Sequence, residues 1–374
     1  MKKSRIIAVH LLNDFSGSPF VFSQALLSLQ QAGNEVHLLT ATPSGRGFLS
    51  DLNVVHHRIF YKWSPNKVLT LFYFLLSQLF VFFKVLITSG KNDIVYINTM
   101  LPFGAAIAAR IRGCKVIYHI HEVSVKPMAL KKMLLFVIRH TADYCIYVSE
   151  FVKKNTSLQI PATVIYNALP FAFIQKAKQN QSKLPERFTV LMLCSLKKYK
   201  GVFEFVQCAR ALPQLQFELV LNASQDEIIS FFDDVNLPAN VILHSAQSNV
   251  HPFYARASVV LNLSLPDKWI ETFGMTALEA MCYGKPVIVP TIGGITELVE
   301  HGISGYHIDA NRIDEVAEKI QKLSQNKALY EKMSEAAYER AAQFSQGSFR
   351  NGIIQVTNKV AKETSPQKLK LANV

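Results

Sequence analysis

The chain has 374 residues, 49% of them hydrophobic, with no low-complexity tract or internal repeat, which suits two globular domains of roughly 150 to 200 residues. Its net charge of +13 is unevenly placed: residues 1–180 hold 20 Lys/Arg against 7 Asp/Glu, and residues 181–374 hold 20 against 20. No helix-turn-helix, zinc or aromatic-platform motif accompanies the basic half, so nucleic acid is set aside and an anionic membrane surface is the partner to weigh.

The start, MKKSRIIAVHLLNDFSG, has a basic front but too short an apolar run for a signal peptide, and reads as a first strand. Strands are expected at Arg5–His10, Glu35–Thr40, Ile94–Asn98, Lys115–Ile120 and Tyr144–Val148, and helices at Pro19–Ala32, Leu69–Ile87, Pro102–Ile111 and Ala129–His140. This alternation predicts a parallel, doubly wound α/β sheet. Ser16-Gly17-Ser18 forms a small-residue loop between the first strand and the Pro19 helix, where backbone can approach a phosphate or an acceptor. His119-Ile120-His121-Glu122 closes another strand, with His119 and His121 on one side of it by alternation.

Residues 68–87 form a nearly unbroken apolar run, interrupted by Thr70, Ser77, Gln78 and Lys84. Its length would allow a membrane span, but Lys84 and the strands of one apparent fold on both sides favour a membrane-facing or core helix. Residues 126–140 mix Lys126, Lys131, Lys132 and Arg139 with Met133, Leu134, Phe136 and Ile138. That composition suits a helix in a headgroup layer, or an ordinary surface helix with a solvated basic face.

A polar stretch from Gln175 to Glu186 reads as the interdomain linker, and strands are expected again at Phe188–Cys194, Phe217–Asn222, Val241–His244, Ser258–Leu263, Pro286–Val289 and Tyr306–Ile308. The implied division is residues 1–172, a linker at 173–187, residues 188–345, and a C-terminal helix and tail at 346–374. The five cysteines, Cys114, Cys145, Cys194, Cys208 and Cys282, lack disulfide or metal-type spacing and read as reduced thiols of a cytosolic protein.

The stretch WIETFGMTALEAMCYGKPVIVP carries the chemistry. Glu271 lies in a loop, Gly274 precedes the helix formers Met275 to Met281, and Gly284 and Pro286 end the helix before a buried strand. A glycine at a helix start exposes backbone N–H groups where the dipole favours anions, so Gly274, Met275 and Thr276 make a phosphate seat. Glu271 and Glu279 are placed to approach opposite ends of a bound nucleotide.

With Phe273-Gly274, Glu279-Ala280-Met281, Gly284-Lys285-Pro286, Gly293-Gly294 and Glu297 at matching spacing, this stretch resembles the donor-site signature of retaining glycosyltransferases of family 4. The resemblance implies the GT-B fold: two Rossmann-like doubly wound domains facing a central cleft, with a C-terminal helix returning to the N-terminal domain. It implies a nucleotide-diphosphate sugar donor, UDP- or GDP-linked, bound by Lys200, Glu279, Phe273, Gly274, Met275 and Thr276. Glu271 would meet the sugar and His121 the reacting region, with Gly17 near the phosphates and Asn167 as the hinge asparagine. Ser195 stands where the family carries an arginine, with Lys197 or Lys198 available to supply charge. No Asp-x-Asp occurs, so no metal or other cofactor is expected.

These features together imply transfer to a lipid-linked or glycan acceptor in bacterial surface-polysaccharide assembly. The enzyme would be cytoplasmic and peripheral on the inner face of the cell membrane. The alternatives are an epimerase or phosphorylase on the same fold, and a catalytically impaired membrane-peripheral scaffold.

Overall fold

The computed structural model describes residues 4–42, 45–180 and 187–362. The chain divides into two compact units, one running to Tyr166 and resuming at Gly347, the other spanning Asn167–Gln346. The division therefore falls before Asn167, whereas the sequence places the linker at 173–187. Overlapping that range, Phe171–Gln179 is helical and belongs to the second unit, and 181–186 lie outside the described residues.

In the first unit the elements run β1 (Arg5–Leu12), α1 (Gly17–Gln31), β2 (Glu35–Ala41), β3 (Val55–Arg58), α2 (Lys67–Thr88), β4 (Ile94–Asn98), α3 (Phe103–Arg112), β5 (Lys115–Ile120), α4 (Met128–Thr141), β6 (Tyr144–Tyr147), α5 (Glu150–Thr156) and β7 (Ala162–Val164). The seven strands are parallel in the order β3-β2-β1-β4-β5-β6-β7. Ile6 to Val9 and Ile94 to Ile97 are almost wholly buried, as expected of parallel strands covered on both faces. The pattern reading missed two strands. β3, sequence VHHR, lies at an exposed edge and presents no apolar face, and β7 is only three residues long.

The second unit follows with α6 (Phe171–Gln179), β8 (Thr189–Ser195), α7 (Val202–Ala211), β9 (Gln216–Asn222), α8 (Gln225–Phe231), β10 (Val241–His244), α9 (His251–Arg256), β11 (Val259–Leu261), α10 (Met275–Cys282), β12 (Val287–Val289), α11 (Ile295–Leu298), β13 (Gly305–His307), α12 (Ile313–Gln325) and α13 (Lys327–Ala342). Its six parallel strands take the order β10-β9-β8-β11-β12-β13. Both sheets reverse direction beside their first strand, between β1 and β4 and between β8 and β11. Such reversals open a crevice at the carboxyl ends of the strands, where ligands of doubly wound sheets bind. The last helix, α14 (Gln346–Lys362), packs on the first unit, with the Lys359 ammonium 5.0 Å from the Tyr144 ring.

Helix α2 is built inside out. Over its apolar 18-residue window the mean hydropathy is 2.0, and the helix is long and apolar enough to cross a membrane, yet only 28% of that window is buried. The inward face includes Ser77 and Gln78, while Val68, Phe72, Leu79, Phe80, Phe83 and Ile87 are exposed. The polar pair is satisfied internally: Gln78 Oε1 accepts from Gly104 N at 3.1 Å, and Gln78 Nε2 donates to Ser77 Oγ at 3.2 Å. α3 lies against this face because its inward residues, Gly104, Ala105, Ala108 and Ala109, are small. A Cβ at Gly104 would stand 2.3 Å from the Gln78 carbonyl oxygen.

Gly104→Ala should therefore push the two helices apart and cost about 1–3 kcal/mol, an overpacking penalty. Ile107→Ala, at an exposed site of the same helix, serves as the control. The denaturation midpoint of the first unit should fall for the former only; equal midpoints would refute the close-packing account.

Candidate functional site

The site in the second unit begins where β8 ends. Ser195 closes the strand, and Lys198–Lys200 make a single tight turn before Gly201. Gly201 adopts φ 78°, and a Cβ there would stand 2.1 Å from the Leu263 carbonyl oxygen, so only glycine lets this turn press against the segment leaving β11. That approach sets Lys200 beside Glu271. The Lys200 ammonium donates to Glu271 Oε1, and Ser264 Oγ donates to the same oxygen at 2.8 Å. Both charged side chains are mostly enclosed, with 17% and 14% exposure. Burial by itself pushes the Glu271 carboxyl up, but the Lys200 charge and the Lys200, Ser264 and Asn262 hydrogen bonds outweigh it and hold it below the usual carboxylate range. Glu271 is thus a carboxylate at neutral pH.

Gly274, at φ 93°, caps α10, and a Cβ there would meet Ile295 Cδ1 at 2.5 Å. Met275 and Thr276 open the helix, so their N–H groups belong to the turn without intrahelical acceptors. One turn further, Glu279 Oε2 accepts from Tyr254 OH at 2.6 Å. Desolvation dominates here and pushes the Glu279 carboxyl up to about 7, although the Tyr254 hydrogen bond opposes it. The two glutamates of the motif are thereby differentiated, one paired and ionised, the other poised near neutrality. Phe273 is buried and packs edge-on against Phe344 at 5.8 Å, so it shapes the loop from beneath. Lys197 and Lys198, offered as charge in place of the Ser195 arginine, are exposed.

Sequence reasoning missed Tyr254, Ser264, Tyr199 and Trp269. Trp269 opens the motif and could have been singled out, since its indole lies 5.0 Å from the Lys200 ammonium and stacks on Tyr199 at 5.4 Å and 21°. Tyr254 and Ser264 carry no local signal.

In the first unit, Gly17 starts α1 after β1, and a Cβ there would meet nothing within 4 Å. Neither sterics nor a left-handed backbone requires glycine at that position; what remains is open space. His121 follows β5. Its Nε2 lies 2.9 Å from Asn98 Oδ1, while Asn98 Nδ2 donates to His10 Nδ1 at 3.1 Å and to the Ser18 carbonyl at 3.2 Å. With the amide nitrogen so committed, its oxygen accepts, and His121 is assigned Nε2–H with Nδ1 as an acceptor. Desolvation, reinforced by His119 and His10, holds His121 well below the usual histidine range, so the ring is neutral at pH 7. His119 sits on the same side, ring centroids 4.4 Å apart, and is the packed partner, hydrogen-bonded to Tyr96 OH at 3.0 Å. Glu122, which the sequence reading passed over, accepts from the backbone N–H groups of Met100 and His121, both at 3.2 Å, and desolvation pushes it up to about 7. Beside it Thr99 holds φ 73°, strained for a β-branched residue. Among the described residues no group of three or more His, Cys, Asp or Glu is arranged to hold a metal ion.

Comparison with known proteins bears on the family and the fold. "Glycosyltransferase Family 4" matches residues 21–172 and "Glycosyl transferases group 1" matches residues 173–340. N-acetyl-alpha-D-glucosaminyl L-malate synthase of Bacillus anthracis is 25% identical over 349 residues, 86% of this chain and 88% of its own. Lipopolysaccharide 1,2-N-acetylglucosaminetransferase of Salmonella typhimurium is 25% identical over 79% of this chain and 78% of its own. Among solved structures, Anabaena HepE with UDP and glucose superimposes with a TM-score of 0.75 at 20% identity, covering 94% of this chain and 99% of its own. Sucrose-phosphate synthase from Thermosynechococcus elongatus gives 0.76 at 18%, covering 96% and 99%. Two doubly wound parallel sheets with these neighbours define a glycosyltransferase of the GT-B fold. The chain belongs to glycosyltransferase family 4.

The raised Glu279 carboxyl has a stability signature. Its folded value of about 7 lies above the ordinary 4.5, so its favourable contribution is complete below 4.5 and lost as pH rises through 7. Glu279→Gln removes the buried charge and should stabilise the ligand-free protein at pH 8 by about 2 kcal/mol, allowing for the carboxyl's partial exposure. The gain should shrink to under half at pH 5. Denaturant unfolding at the two pH values measures it, and a pH-independent difference would contradict the assignment.

Proposed function

We propose that this protein transfers a hexose-type sugar from a UDP- or GDP-sugar, with retention at the anomeric carbon, to a lipid-linked or membrane-borne glycan acceptor in bacterial surface-polysaccharide assembly. The observation that carries the reading is the enclosed Lys200–Glu271 pair at the carboxyl end of β8, beside the sheet reversal and in one unit with the α10 N-terminus. Retaining transfer needs a stabilised diphosphate leaving group, a held sugar and an acceptor hydroxyl that loses its proton. Lys200 and the first N–H groups of α10 supply charge and dipole to the diphosphate. Glu279 accepts from the ribose hydroxyls, which favours its ionised form. Glu271, already a carboxylate, accepts from sugar hydroxyls and opposes positive charge developing at the anomeric carbon. His121, neutral, serves as a hydrogen-bonding group for the sugar and not as a cation.

A relative and a structural neighbour support the sugar chemistry. The Salmonella relative is a lipopolysaccharide N-acetylglucosaminetransferase, and the Anabaena neighbour was solved with UDP-glucose. The membrane-borne acceptor draws on the first unit: the exposed apolar face of α2, the exposed Met128 and Phe136 of α4 with its lysines, and the excess of 20 Lys/Arg over 7 Asp/Glu in residues 1–180. On this reading the enzyme works in the cytoplasm, peripheral to the inner face of the cell membrane, and without a metal.

Thermal-shift titration with UDP-, GDP-, ADP- and dTDP-sugars in EDTA should show stabilisation by one nucleotide class, abolished in Glu279→Ala. No shift with any of them would refute the donor reading, and isomerisation of the sugar without an acceptor would favour an epimerase. The membrane arm is separate: flotation with vesicles containing anionic lipid should carry the wild type. Phe80→Ser with Phe83→Ser should reduce the bound fraction about tenfold, by the apolar area withdrawn. Equal flotation of both proteins would remove α2 from the account.

A further inference from the structure

Trp269 is out of place as a core residue. It is 39% exposed, yet its ring is engaged by Tyr199 and by the Lys200 ammonium, and it stands two residues before Glu271. Lys200 reaches this spot on a flexible four-carbon stem, and the position where the family carries an arginine is Ser195, so no planar guanidinium fixes the charge. In the structure Lys200 is bonded to Glu271. A diphosphate taking up Lys200 competes with that carboxylate for the ammonium, while Ser264 Oγ keeps its hold on Glu271 Oε1.

We propose that Trp269 is a positioning residue for Lys200, an aromatic support against which the ammonium exchanges Glu271 for the donor diphosphate, so that Glu271 is released to the sugar only when a diphosphate is seated. The inference rests on the donor reading above and adds to it the element that replaces the missing second cation. The physical basis is attraction between an ammonium and an indole face, strongest for tryptophan and enhanced when the ammonium is partly desolvated, as here at 17% exposure. Three donors on one nitrogen allow Lys200 to change oxygen partners without leaving the ring. Tyr199, stacked on the indole and adjacent to Lys200 in the chain, holds the ring plane.

The chain has two tryptophans, Trp63 and Trp269, so a Trp63→Phe protein reports on Trp269 alone. Titration of that protein with UDP and with GDP should give a saturable change in its emission for the nucleotide that calorimetry shows to bind. By calorimetry, Trp269→Leu should weaken that nucleotide about tenfold and Trp269→Phe by no more than threefold, with unchanged thermal stability for the latter. In a double-mutant cycle, Trp269→Leu should weaken binding no further once Lys200→Ala is present, which a merely structural role would not produce. Full additivity of the two substitutions, or wild-type affinity in Trp269→Leu, would overturn the inference while leaving the donor site intact. Failure of the wild type to bind either nucleotide would overturn the donor reading, and this inference with it.

Discussion

One backbone contact underlies the donor side of this protein. The Gly201 α-carbon lies so close to the Leu263 carbonyl that any side chain would collide with it. This contact crosses the reversal between β8 and β11, the point where neighbouring crossovers diverge and a crevice must open. It draws the turn carrying Lys200 onto the segment carrying Ser264 and Glu271. The charge pair, the indole beside it and the hydrogen bond from Ser264 all rest on that approach.

The electrostatics follow from enclosure. A buried charge is tolerated when paired, and Glu271 is held ionised by Lys200 and its hydroxyl and amide neighbours. Glu279 has only a tyrosine hydroxyl, so desolvation prevails and its carboxyl rests near neutrality. The same contrast recurs in the first unit, where three histidines and an asparagine, His10, Asn98, His119 and His121, form a buried, uncharged cluster at the ends of β1, β4 and β5.

Helix α2 shows how far composition can mislead. Twenty apolar-rich residues ordinarily mean a span or a core helix, and in either case the polar residues face away from the apolar surroundings. Here Ser77 and Gln78 point inward because the buried residues of α3 are a glycine and alanines, so the helices approach closely enough for Gln78 to bond the Gly104 amide. The displaced apolar residues stand outside, within the half of the chain that holds the net positive charge.

Much of this was written in the sequence. Strand-helix alternation predicted two doubly wound sheets, because β-branched runs buried on both faces leave a plain pattern. The spacing around Glu271, Gly274 and Glu279 marked helix α10, because a left-handed glycine at a helix start leaves a plain signature. Edge strand β3 was not legible, since an exposed strand has no apolar face to reveal it. Phe273, read as a donor contact, has its side chain buried against Phe344, because a motif records that a residue is near a site and not which way it points. The linker read at 173–187 overlaps α6, a short helix whose second half is polar, and 181–186 lie outside the described residues. Pairings remote in the chain were decided only by tertiary structure: Tyr254 on Glu279, Ser264 and Lys200 on Glu271, Asn98 between two histidines. The sequence by itself determined which residues could carry the chemistry. The fold decided which of them are charged, because pairing and desolvation exist only once distant segments have met.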